Sequence, residues 1–92
     1  MIRILLIEDE EPIRRVLVRI LSEEDAQYKI TEAVDGKKGF HLLNKESFDL
    51  VLCDIKMPKM DGIEVLQKAK NSKNNTPFIM LPGHGNDETA VE

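Results

Sequence analysis

The sequence predicts one α/β domain built on a parallel sheet, and three observations carry that prediction. Short apolar runs alternate with segments whose apolar residues recur at helical spacing, the pattern of βαβ units joined by right-handed crossovers. One run, Phe48-Asp-Leu-Val-Leu-Cys-Asp54, is apolar at nearly every position, as a strand covered on both faces should be. It then ends on a carboxylate, at the carboxyl end of a strand, where open parallel sheets place their ligands.

The elements follow in order. Ile2 to Ile7 is short and almost wholly apolar, which predicts the first strand. Glu8-Asp9-Glu10-Glu11-Pro12 stops it, and Pro12 suits the first turn of a helix, where an N–H is not needed. Ile13, Val16, Leu17, Ile20 and Leu21 stand at i, i+3, i+4, i+7 and i+8, one apolar stripe of a helix from about Glu11 to Ser22. Arg14, Arg15 and Arg19 fall on its other face. Tyr28 to Val34 alternates in part and predicts a second strand near a sheet edge. Asp35-Gly36 reads as a turn, and Phe40, Leu42 and Leu43 mark a short second helix. After the third strand, Ile55 to Gly62 is a loop rich in turn residues. Asp61 is placed to cap a third helix, which runs through Ile63, Leu66 and Ala69 to about Asn71. Phe78 to Leu81 predicts a fourth strand, ended by Pro82-Gly83-His84-Gly85. Asn86 is placed to cap a fourth helix beginning at Asp87, of which about one turn remains before Glu92.

Composition narrows the class. The chain has 92 residues, 41% hydrophobic and 33% charged, with 13 basic and 17 acidic side chains and a net charge of −4. A chain of this length buries roughly 60–70% of its unfolded surface, enough for one core with little stability to spare. The acidic balance argues against direct nucleic-acid binding by this chain. One cysteine, Cys53, permits no internal disulfide and makes no zinc pattern, so a reducing, cytoplasmic setting is expected. The N-terminal apolar run is too short for a membrane span and lacks the layout of a signal peptide.

The chemistry lies at two strand ends. Glu8 and Asp9 follow the first strand and Asp54 ends the third; if those strands are neighbours, their ends lie about 4.8 Å apart. Three carboxylates in one pocket repel one another unless a cation joins them. An oxygen-only set of this kind suits Mg²⁺, which keeps several waters and takes one or two carboxylates plus a phosphate. An Asp beside such a metal is a candidate nucleophile for an aspartyl-phosphate. Acids in a first helical turn also complement the macrodipole, and Glu8 to Glu11 alone would be read that way. The coincidence with Asp54 favours a site.

These residues resemble the receiver domain of bacterial two-component response regulators (CheY-like). Ile4-Leu-Leu-Ile-Glu-Asp-Glu-Glu-Pro12, Asp54-Ile-Lys-Met-Pro-Lys-Met-Asp-Gly62 and Thr76-Pro-Phe-Ile-Met-Leu81 carry the resemblance, and the second is the most specific. It implies a flavodoxin-like sheet of order 2-1-3-4 and a receiver domain over residues 1–92. It also implies a phosphoacceptor role for Asp54, with a histidine kinase as phosphodonor. Mg²⁺ would be held by Asp9, Asp54 and the backbone carbonyl of Lys56, with Glu8 acting through water. Met57-Pro58 would shape the loop, and Gly62 would permit its turn. Such a module helps its own modification and is not a turnover enzyme. The tail from Gly83 to Val91 is most similar to receivers joined to AAA+ and DNA-binding output modules.

Two departures from the pattern stand out. The family carries Ser or Thr where this chain has Pro82, which offers neither a hydroxyl nor an N–H to a phosphoryl group; Gly83 keeps the backbone approachable. The fifth strand and helix, with the family's lysine, have no counterpart before Glu92. The expectation is an apolar strand 4 edge that pairs or swaps with a second copy of the chain. An alternative reading follows: a truncated or pseudo-receiver that acts as an interaction or dimerisation module without switching. A Mg²⁺-dependent phosphatase is a third reading, opposed by Lys56, where such enzymes need a second Asp. Cys53 is read as a core residue and His41 as a surface one. His84 has no partner ligands. Lys37, Lys38, Lys56 and Lys59 are read as solvated, the latter two near enough to attract a phosphodonor.

Overall fold

A computed structural model describes residues 1–57 and 60–82. The chain order is β1 (Ile2–Ile7), α1 (Glu11–Glu24), β2 (Tyr28–Ala33), α2 (Gly36–Lys45), β3 (Leu50–Asp54), α3 (Gly62–Asn71) and β4 (Phe78–Leu81). The four strands form one parallel sheet in the order β2-β1-β3-β4. That is the flavodoxin-like order expected, with β2 at an edge. Pro58, Lys59, Gly83, His84 and the helix expected from Asp87 lie outside the described residues.

Period-two alternation assigns the strand residues to two faces. Leu5, Ile7, Ala33, Val51 and Cys53 face α2 and α3, where they pack with Leu43, Phe48, Met57, Val65 and Ala69. Ile4, Leu6 and Leu52 face α1, where Leu17, Val18 and Leu21 cover them together with Tyr28, Ile30, Leu50 and Leu81. Leu5, Leu6, Ile7 and Val51 are fully buried. Burying each such side chain contributes roughly 1.5–3 kcal/mol, so the sheet is anchored by β1 and β3, the two strands that carry the acids.

Register sets where those acids emerge. Ile7 pairs with Cys53, so the next positions, Glu8 and Asp54, stand abreast at the carboxyl end of the sheet. Asp54 in turn pairs with Leu81, which puts Pro82 one residue beyond it on the neighbouring strand.

Several boundaries differ from the sequence expectation for physical reasons. Asp35-Gly36 is not a free turn: the Asp35 side chain accepts the Lys38 N–H at 2.8 Å and caps α2, of which Gly36 is the first residue. A Cβ on Gly36 would stand 2.4 Å from the Met60 carbonyl oxygen, so contact with the β3–α3 loop explains the glycine. β3 begins at Leu50; just before it the Asp49 N–H still donates to the Arg3 carbonyl, but the Arg3 N–H goes to the Asp49 carboxylate in place of a backbone carbonyl. Phe48 is nevertheless buried. Asp61 caps α3 as expected, and the Glu64 side chain returns the bond to complete a capping box.

The largest correction concerns α1. Its apolar stripe is wider than the sheet beneath it can cover, and the helix is turned so that Leu17, Val18 and Leu21 meet the sheet. Val16 and Ile20 are left 55% and 54% exposed at its flank. Arg14, expected on the outer face, is instead half-buried, for reasons given below.

Candidate functional site

The site begins with the backbone of two buried strands. The buried stretches of β1 (Ile4 to Ile7) and β3 (Val51 to Cys53) carry no charge, and the acids appear as each strand runs out. Glu8 and Asp54 are still buried there, 1% and 0% exposed, and Asp9 is half-buried beside them. One carboxylate oxygen from each of the three lies within 4.8 Å of the others. The sequence placed Glu8, Asp9 and Asp54 together, and the structure brings all three together.

Hydrogen bonds fix the cluster from several sides. The Glu8 N–H donates to the Ala33 carbonyl at 3.1 Å, tying the acidic turn to β2. Glu8 Oε2 accepts the Glu10 N–H at 3.0 Å, so the Glu8 side chain is held at the N-terminus of α1, where the helix dipole favours an anion. Asp54 Oδ1 accepts the Lys56 N–H at 3.1 Å. That bond puts the backbone of Lys56 at the site, while the Lys56 side chain is exposed. Asp9 Oδ1 is a buried oxygen with no hydrogen-bond partner among the described residues.

That orphaned oxygen, facing two more carboxylates, tests whether the residues suit a cation. They do: the donors are hard oxygens, their count leaves room for water and a phosphate, and their spacing allows one ion to touch more than one of them. A magnesium-type ion would also relieve a desolvated repulsion that the fold otherwise carries.

Gly62 acts differently from the expectation. It opens α3 without a left-handed backbone, and its constraint is space: a Cβ there would lie 2.4 Å from the Asp54 carbonyl oxygen and 2.7 Å from Met80 Cε. Its N–H donates to the Ile55 carbonyl at 2.9 Å. The glycine thus lets α3 press directly against the strand end that presents Asp54. Pro82 is exposed, immediately after β4. Cys53, one residue before Asp54, is fully buried. Burial, then the charges of Asp54, Asp61 and Glu8, push its thiol up from 9.0 to about 12, which keeps it protonated and inert.

Two contributors escaped the sequence reading. Arg14 Nη1 donates to the Glu8 carbonyl at 3.0 Å, and its Nε donates to Glu32 Oε1 at 2.9 Å. Spacing put Arg14 with Arg15 and Arg19 on the solvent face, and Glu32 was one polar residue in an alternating strand. The available signal was position: Arg14 lies on the first turn after the acids, within reach of their backbone.

Comparison with known proteins agrees with this geometry. The family described as "Response regulator receiver domain" matches residues 4–92. The transcriptional regulatory protein SrrA of Staphylococcus aureus is 37% identical over 89 residues, covering 97% of this chain and 36% of SrrA. The chain therefore spans about a third of that relative's length. The response regulator TrrA of Thermotoga maritima, solved in complex with Mg²⁺-BeF, is 35% identical with a TM-score of 0.80, covering 87% of this chain and 68% of that one. A chain from the complex of histidine kinase ThkA with TrrA is 32% identical with a TM-score of 0.80, covering 99% of this chain and 79% of that one. On sequence and fold together, this chain belongs to the response regulator receiver domain family.

Proposed function

We propose that this receiver domain accepts a phosphoryl group on Asp54 from a phosphohistidine of a histidine kinase. The observation that carries the reading is the gathering of Glu8, Asp9 and Asp54 at abreast strand ends, with their oxygens within 4.8 Å. An Asp54 carboxylate oxygen would attack phosphorus while the phosphorus–nitrogen bond breaks, and the leaving imidazole nitrogen would take up a proton. Asp9, Asp54 and the Lys56 carbonyl would hold Mg²⁺, with Glu8 behind a water; the ion supplies neutralisation of the phosphoryl oxygens. The Lys56 N–H at Asp54 Oδ1 orients the nucleophile, and Gly62 keeps α3 close behind it. A histidine kinase bound to TrrA, and TrrA bound to Mg²⁺-BeF, support the donor and the ion by likeness. The setting is cytoplasmic, where such kinases act. No helix among the described residues is long and apolar enough to cross a membrane.

The test is incubation with Mg²⁺ and acetyl phosphate. A base-labile phosphoryl adduct, seen by intact mass and abolished by Asp54→Asn or by chelation, is the expected result. No adduct under those conditions would overturn the reading.

Pro82 favours a second reading, a receiver that acts by protein contact or dimerisation rather than by switching. It follows the strand position paired with Asp54 and has no donor for a phosphoryl oxygen. A hydrogen bond to a charged group contributes roughly 1.5–3 kcal/mol. Pro82→Thr is expected to lengthen the lifetime of the Asp54 adduct if phosphorylation is the function. Concentration-dependent sedimentation that is indifferent to acetyl phosphate would favour the contact reading.

A further inference from the structure

We propose that Arg14 is a positioning residue for the acidic pocket: it sets the peptide plane from which Glu8 and Asp9 project. This rests on the reading of the pocket as a Mg²⁺ site. The guanidinium makes two directed bonds, Nη1 to the Glu8 carbonyl at 3.0 Å and Nε to Glu32 Oε1 at 2.9 Å. Its side chain is only 13% exposed, against 44% for Glu32.

The Glu8 carbonyl and the Asp9 N–H share one rigid peptide plane. Holding that carbonyl therefore fixes the orientation from which the Asp9 side chain starts. The Glu8 N–H is held by Ala33 and its carboxylate by the Glu10 N–H. Arg14 adds a restraint at the carbonyl. Without it, the peptide between the two acids can rock, and three mutually repelling carboxylates favour rocking apart.

A direct electrostatic role is smaller. Arg14 is paired with Glu32, which offsets part of its charge. A cation placed there purely for its charge would also repel an incoming Mg²⁺. What the site uses is the fork: an arginine reaches a backbone carbonyl and a carboxylate together, whereas a lysine ammonium is a single point with no fixed donor geometry. Partners that hold a metal ligand in place typically affect metal affinity by 10–100-fold.

The experiment is a Mg²⁺ titration of the intact chain, followed by amide NMR shifts at a temperature well below melting, with apo melting temperatures recorded separately. Arg14→Lys preserves charge and is expected to raise the Mg²⁺ midpoint roughly 10-fold. Arg14→Gln serves as a second variant should the lysine chain fold poorly, with the same direction expected. Glu32→Gln keeps the bond to Glu8 and should leave the midpoint within a factor of about two, because a lone surface charge is screened. A lowered apo melting temperature with an unmoved midpoint in Arg14→Lys would overturn the proposal and leave Arg14 a simple tether. A wild-type chain with no Mg²⁺ midpoint would overturn the pocket reading and this proposal with it. A wild-type midpoint that Arg14→Lys leaves in place overturns this proposal alone.

Discussion

Replacing Asp54 with Asn should make the metal-free protein more stable while making it blind to Mg²⁺. The three carboxylates have oxygens within 4.8 Å of one another, and Asp54 and Glu8 are almost fully removed from water. At that separation and an effective dielectric constant of 20, each pair of charges repels by about 3.5 kcal/mol. Two pairs involve Asp54. The sum has a ceiling, however, because protonating an ordinary carboxylate at pH 7 costs only about 4 kcal/mol. The amide removes that repulsion but weakens the bond from the Lys56 N–H, which loses its charge assistance, a loss of about 1–2 kcal/mol. The net expectation is a gain of about 2 kcal/mol. For a domain of this size, with a urea dependence of about 1 kcal/mol per molar, the unfolding midpoint should rise by about 2 M in EDTA. Adding Mg²⁺ at 100 times its Kd should raise wild-type stability by about 2.7 kcal/mol and leave the variant unmoved. Circular dichroism of urea unfolding, with and without Mg²⁺, reads all four states. A variant less stable than wild type in EDTA, or an equal Mg²⁺ effect on both chains, would refute the account of a strained, cation-seeking pocket.

Other expectations concern the frame around that pocket. Gly62→Ala would drive a Cβ to within 2.4 Å of the Asp54 carbonyl oxygen, so it should cost about 1–3 kcal/mol and weaken Mg²⁺ binding as the strand end shifts, readable by the same titrations. Asp61→Ala removes the side-chain arm of the capping box on α3, the bond accepted from the Glu64 N–H, and should cost about 0.5–2 kcal/mol in urea unfolding, with a smaller effect on Mg²⁺ affinity than Gly62→Ala. Cys53 should resist a thiol reagent at pH 8 in the native chain and react in urea. Because its folded value is raised, the unfolded state loses the proton first: its contribution to stability is intact below pH 9.0 and falls as pH climbs towards 12. A Cys53→Ala chain should lack that alkaline slope.

Much of this was legible in the sequence, for identifiable reasons. β1, β4 and the burial of the third strand follow from short apolar runs whose ends are marked by acids or proline, and Asp61 announced its helix through cap chemistry. Glu8, Asp9 and Asp54 could be joined because parallel strands deliver ligands at one end of the sheet, and register then set them abreast. What was not legible depends on distances between elements remote in sequence. Helical spacing located the stripe on α1 but not which part of it the sheet would reach, so Val16 and Ile20 were overcounted and Arg14 was misassigned. Gly36 and Gly62 looked like turn residues, because a glycine chosen for close approach of two backbones has the same letter as one chosen for φ.

The register that sets Glu8 beside Asp54 also has a consequence for the order of folding. Their strands are separated by two helices and an edge strand, so no local segment contains the pocket. It exists only once β1 and β3 have closed a long loop, and parallel pairing of that kind is entropically late. The carboxylates must also crowd together in the last part of that closure, when water leaves. If the pocket is completed after the folding barrier, a cation that binds there slows unfolding and leaves the folding rate untouched. The ion would then act as a latch on the finished sheet, lengthening the life of the native chain without helping it to form.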